Sequence, residues 1–142
     1  MKEQNFKNHA RLVTGFHGFT AIAVIAFLGG TIQNILTTSH DNLYSASLLC
    51  LAAIIFLCFF WYMRSFALKA QDRAIRAEEN FRYFILTGKP FNKNLKLQQI
   101  IALRFASDDE FVALTEKALS ENLSNTDIKK LIQNWRADYD RA

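Results

Sequence analysis

Three polar side chains, Thr31, Gln33 and Asn34, stand in an otherwise apolar stretch, directly after Gly29 and Gly30. At membrane depth such groups are costly and face protein or water. Two chemistries fit them. In one, Gln33 and Asn34 hydrogen-bond to Ser45 or Ser47 of a neighbouring helix, with Ala26 and Gly30 as a small-xxx-small contact that lets the helices approach. In the other, an oligomer arranges Thr31, Gln33 and Asn34 around a water-filled path, with His17 also facing it, as in the ring geometry of a pore.

Histidine as a residue type serves as a proton relay, a sensor or an amphipathic anchor. His9, His17 and His40 fall in different layers of any hairpin, so they cannot assemble one metal site. Lys69, Arg73 and Arg76 lie within roughly a 60° sector of a helix, a spacing that suits contact with lipid phosphates. The same charges equally serve positive-inside topology and attraction to an acidic tail. Cys50 and Cys58 are about 80° apart on one helix, so they cannot pair within it and read as small apolar packing residues.

Enzymatic signatures are missing. There is no phosphate-binding Gly-rich loop, GxSxG, HExxH or CxxC, and the chain holds five glycines in all. The expectation is a non-enzymatic protein with no catalytic residue, cofactor or metal. Nucleic acid is not an expected partner, because residues 105–142 carry five basic and eight acidic side chains, the wrong footprint for a phosphate backbone.

The elements that must position these residues follow from where charge is absent. Of 142 residues 51% are apolar and only one is proline, which excludes disorder and collagen-like repeats. Between Arg11 and Arg64 there is no Lys or Arg, and Asp41 is the only acid. Residues 12–36 and 43–63 can each cross a hydrocarbon core of about 30 Å, which needs roughly 20 helical residues. Residues 37–42 suffice only for a tight turn, and backbone polar groups in lipid must be paired internally, so both segments are expected as helices. A cleaved signal peptide fits the first poorly, since no small-x-small site follows it before the second.

Lys2, Lys7 and Arg11 precede the first span, Arg64, Lys69, Arg73 and Arg76 follow the second, and the turn has no basic residue. The positive-inside rule then puts both termini in the cytoplasm of a bacterial inner membrane, with Tyr44, Trp61 and Tyr62 as interfacial anchors. The expected organisation is a cytoplasmic segment 1–11, a two-helix transmembrane hairpin 12–63, and a cytoplasmic stalk and bundle 64–142.

The second helix should not stop at the membrane. Residues 64–87 lack Gly and Pro, and Asp72 with Arg76 and Glu78 with Arg82 have helix-supporting spacing. Gly88 suits a C′ position and Pro90 ends the element. One helix over about residues 42–87 would be on the order of 70 Å long. Along it small or apolar residues alternate in steps of three and four: Ala46, Leu49, Ala53, Phe56, Phe60, Met63, Ala67, Ala70, Ala74, Ala77, Phe81, Phe84. A seam of that period asks for a partner helix. Either the C-terminal helices fold back onto it or a second copy does.

Beyond Pro90 three short helices are expected: residues 97–106, one opened by a capping box at Ser107–Glu110, and one opened by Ser124 with Asp127. In the last, Ile128, Leu131, Ile132, Trp135 and Tyr139 form one apolar stripe. Residues 64–104 carry nine basic and three acidic side chains, placing the basic half beside an anionic leaflet.

Four strings, DNLYSASLL (41–49), ALKAQDRAIRAEENFR (67–82), IIALRFASDDEF (100–111) and IKKLIQNWRADYDR (128–141), resemble an uncharacterised bacterial family of short two-span membrane proteins. The resemblance covers nearly the whole chain and implies the topology derived above; it implies no activity, ligand or functional residue. The expected fold is all-α, a transmembrane hairpin whose second helix extends into a cytoplasmic bundle. The expected function is a homo-oligomeric interaction or scaffold module in contact with membrane lipids and a cytoplasmic protein partner. The alternative is an oligomeric channel lined by the first helix.

Overall fold

The computed structural model describes residues 4–6, 8 and 12–138. Among them the chain is all-helical, apart from one isolated antiparallel bridge between Ala106 and Trp135. It divides into two compact units, Leu12–Ala67 and the remainder, and one long helix belongs to both.

The apolar unit is a helical hairpin. A π-helical turn, Gly15–Thr20, runs directly into α1, Ala21–Thr37. Gly15 and Gly18 leave this wide turn uncrowded, and the Thr20 hydroxyl donates to the Gly15 carbonyl at 3.0 Å, closing the five-residue loop with a side chain. The Thr37 hydroxyl donates to the Gln33 carbonyl at 2.9 Å, Thr38 turns extended, and a short 3-10 turn, His40–Asn42, leads into α2, Leu43–Thr87. The tight connection at residues 37–42 is therefore as expected.

Only Thr31, Ala46 and Ala53 are buried among the described residues of this unit. Small side chains mark the line of closest approach between two helices, where bulk would force the backbones apart. Phe16 stacks on Phe60 with ring centroids 4.5 Å apart, and Phe27 meets Phe56 edge-on at 6.0 Å. Both helices are long and apolar enough to cross a membrane, over Thr14–Thr37 and His40–Thr87. Just 6% and 11% of their most apolar windows are buried, whereas the core helix of a soluble protein is mostly covered.

The second unit builds its core around Phe105, Phe111, Ile100, Leu103 and Ile128, all essentially inaccessible. Helix α2 stops where Gly88 adopts φ +71° and its N–H donates to the Phe84 carbonyl, the C′ geometry that glycine supplies without Cβ strain. Three short helices follow: α3 (Leu97–Leu103), α4 (Asp108–Ser120) and α5 (Asn125–Leu131).

Three details depart from the sequence expectation. Helix α3 ends at Leu103 rather than Ala106, because Phe105 and Ala106 close tighter turns onto Ala102 and Leu103 that drive both residues into the core. Ser107 does precede α4, but its side chain makes no cap hydrogen bond. Glu110 is spent elsewhere, accepting from the backbone N–H groups of Gln133 and Asn134 at 3.0 and 3.1 Å. Helix α5 opens at Ser124, whose hydroxyl accepts from the Asp127 N–H as expected, yet it ends after seven residues. Ile132 is extended, and Trp135 joins the bridge to Ala106 with its ring 5.2 Å from Phe105. Tyr139 lies outside the described residues.

Candidate functional site

The part of α2 that belongs to the second unit has two unlike faces. One is bound to the bundle by Ile75, Glu79 and Arg82. The Arg82 guanidinium donates from Nε to Asp108 at 2.6 Å, from Nη2 to the Ala106 carbonyl at 2.8 Å and from Nη1 to Glu79 at 3.0 Å. Its plane lies over the Phe111 ring at 4.1 Å. Glu79 is 6% exposed, and a second cation, Arg136, approaches its carboxylate at 3.9 Å. A buried carboxylate is tolerable only when paired and hydrogen-bonded; here Arg82 supplies the hydrogen bond and Arg136 a second, longer ion pair. Asn80 adds an acceptor for the Phe91 N–H at 2.9 Å, tying the loop after Pro90 to the helix. Arg82 thus pairs three residues back, and neither the Glu78–Arg82 nor the Asp72–Arg76 ion pair anticipated from spacing is formed.

The face turned away from these three residues is exposed, and its edges, at Ala74, Ala77, Phe81 and Ile85, border grooves shared with the bundle. At 100° per residue, Ala67, Ala70, Ala74, Ala77, Phe81, Phe84 and Ile85 fall in a sector roughly 100° wide whose centre is about 110–170° from Ile75, Glu79 and Arg82. All are exposed, Phe81 by 64%, Phe84 by 50% and Ile85 by 66%. No charged residue enters the sector; Arg73 stands on one edge and Glu78 on the other. In the apolar unit the same repeat is occupied within the chain, through buried Ala46 and Ala53 and the ring contacts of Phe56 and Phe60. So the seam divides. Its first half has Ala46 and Ala53 buried and ring contacts from Phe16 and Phe27, whereas every position of its second half is exposed, because the C-terminal helices dock on α2 through Arg82 and Glu79.

The polar residues singled out in the first helix are dispersed by the fold. Thr31 is 4% exposed, and its hydroxyl donates to the Leu28 carbonyl at 2.9 Å within its own helix. Gln33 and Asn34 are exposed and make no hydrogen bond to Ser45 or Ser47; Ser47 donates instead to the Tyr44 carbonyl at 2.7 Å. Ala26 and Gly30 are exposed too, so the close helix contact runs through Thr31, Ala46 and Ala53. His17 sits half-buried in the π-turn, with Nδ1 3.1 Å from the Val13 carbonyl and its ring edge-on to Phe16. Lys69, Arg73 and Arg76 are all exposed.

Arg73 and Arg76 line one open groove of about 410 Å³ together with Lys93, Asn80 and Asn92; Lys69 does not line it. Lys93 comes from the loop after Pro90, and no sequence pattern links it to the helix. Gln99 is a second residue that sequence reasoning missed. It is 3% exposed, its carbonyl accepts from the Lys96 N–H, and its amide donates to the Ala118 and Leu123 carbonyls at 3.0 Å each. Buried Arg104, with Nη1 3.1 Å from Asp138, is a third. Among the described residues no group of three metal-ligating side chains converges.

Fold and site together define an all-helical protein with two helices apolar enough to span a membrane, the second continuing into a small helical bundle with one side uncovered. The chain belongs to a family of unknown function, DUF6526, whose model matches residues 1–142. No curated protein and no solved structure matches it.

Proposed function

We propose that this chain is an integral inner-membrane protein with both termini in the cytoplasm, and that it acts as a non-enzymatic module that self-associates through the cytoplasmic half of α2. The observation that carries the reading is the charge-free face from Ala67 to Ile85, exposed along its length and turned away from Ile75, Glu79 and Arg82. An apolar strip of that kind marks an interaction surface. The membrane assignment is supported by two apolar helices that bury so little within the chain and by the absence of Lys and Arg from residues 12–63. Membrane lipids cover the hairpin, and Lys69, exposed and five residues past Arg64, is the nearest of the three expected cations to their phosphates.

Sedimentation of the full-length protein in detergent over a range of concentrations tests the reading. Wild type is expected to associate and the Phe81→Ser, Phe84→Ser double variant to remain monomeric with unchanged helicity. Equal association of the two removes the proposed surface.

A second reading, an oligomeric pore lined by α1, is favoured by Gln33 and Asn34, whose exposed amides are left for another copy or for water. Planar-bilayer recording decides it: Gln33→Leu or Asn34→Leu alters conductance in a pore, and absence of any conductance from the assembled protein rejects that reading.

A further inference from the structure

Resting on the reading that α2 self-associates, we propose that its partner is a second copy of this chain lying parallel and in register, with Arg73 of each copy paired to the partner's Glu78. Ala67, Ala74 and Phe81 occupy a positions of a heptad, and Ala70, Ala77 and Phe84 occupy d. The steps of four and three hold without interruption, the period that keeps one seam facing a partner through a left-handed supercoil. Alanine at four of these six positions permits close backbone approach, and the two phenylalanines supply bulk at the far end.

The flanking positions select orientation. Arg73 falls at g and Glu78 at e of the following heptad, five residues on. In a parallel, in-register pair, g of one helix lies against that e of the other, so the two-fold arrangement forms this ion pair twice. An antiparallel pair juxtaposes g with g and e with e, which sets like charges together. Two copies inserted with the same orientation in one membrane are also constrained to run parallel.

The other flanking groups do not compete. Gln71 at e is uncharged, and Asn80 and Thr87 at g are already bonded to the Phe91 N–H and the Tyr83 carbonyl. Among the described residues neither Arg73 nor Glu78 forms an ion pair. The groove at Arg73 collects three cations, Arg73, Arg76 and Lys93, with no acid in its lining, and the partner's Glu78 brings one to its edge. Phe81 lies seventeen residues past Arg64, about 26 Å along the helix, well beyond the few ångströms of headgroup region outside the hydrocarbon core. Lipid is therefore not its cover, and a protein surface is required.

The test uses full-length protein in lipid nanodiscs with Cys50 and Cys58 replaced by Ala. Ala77→Cys at the centre of the seam is expected to form a disulfide-linked pair on mild oxidation, and Arg76→Cys, on another side of the helix, is not. Arg73→Glu alone and Glu78→Arg alone each weaken association about tenfold, because two weak attractions become two repulsions, and the double exchange restores it. An assembly that ignores both charge reversals and does not cross-link at position 77 overturns the parallel register while leaving self-association intact. A monomer at all concentrations overturns both.

Discussion

Replacing Arg82 with Met keeps an unbranched apolar stem and removes the guanidinium contacts to Asp108, Glu79 and the Ala106 carbonyl. The Glu79 carboxylate, 6% exposed, then retains only Arg136 at 3.9 Å, a separation too long for a good hydrogen bond. The Ala106 carbonyl loses its 2.8 Å donor and the Phe111 ring loses the cation above it. Asp108 contributes little to the cost, since its side chain is 66% exposed and water replaces the lost partner. A buried charge stripped of its main partner costs about 3–5 kcal/mol. Thermal unfolding of the detergent-solubilised full chain, followed by hydrogen exchange at α4 amides, is the assay. Arg82→Met should lower the midpoint of the bundle and open α4, while Arg82→Met with Glu79→Leu should recover most of the loss by removing the orphaned carboxylate. A single variant within about 1 kcal/mol of wild type, or a double variant worse than the single, refutes the assignment of Arg82 and Glu79 as the clasp.

Gln99→Leu leaves the Ala118 and Leu123 carbonyls without their donor and the Lys96 N–H without its acceptor; it should cost about 2–4 kcal/mol and raise exchange at the end of α4. Gly88→Ala forces an L side chain to φ +71° and should destabilise by roughly 1 kcal/mol, read from the denaturation midpoint. Exchanging Lys69, five residues past Arg64, for Gln should reduce anionic lipid retained in native mass spectra without changing subunit number; unchanged lipid retention rejects phosphate contact at that position.

Much of the architecture was legible because it rests on local signals. An unbroken run without Gly or Pro, closed by Gly88, put the long helix at about residues 42–87 against the observed Leu43–Thr87. Ser124 with Asp127 placed the start of α5 in the same way. The seam at steps of three and four was visible as well, but its division was not. Which side of α2 the bundle takes depends on Arg82 meeting Asp108 across 26 residues and on Glu79 meeting Arg136. Nothing local in the sequence announces those pairings. The early end of α5 was hidden for a related reason. Trp135 and Ile132 keep helical spacing, yet the bridge to Ala106 and the Glu110 carboxylate offer the backbone other partners. The polar residues of α1 were conspicuous by type, but their partners depend on rotation about the helix axis, which composition does not encode.

The central claim is that the uncovered face of α2 joins copies of this chain. Native mass spectrometry of the full-length protein released from lipid nanodiscs, beside an Ala77→Glu variant, tests it most directly. The account predicts an assembly of two or more subunits for wild type and a monomer for the variant, whose buried core is untouched. A monomeric wild type, or a variant that assembles as wild type does, contradicts it.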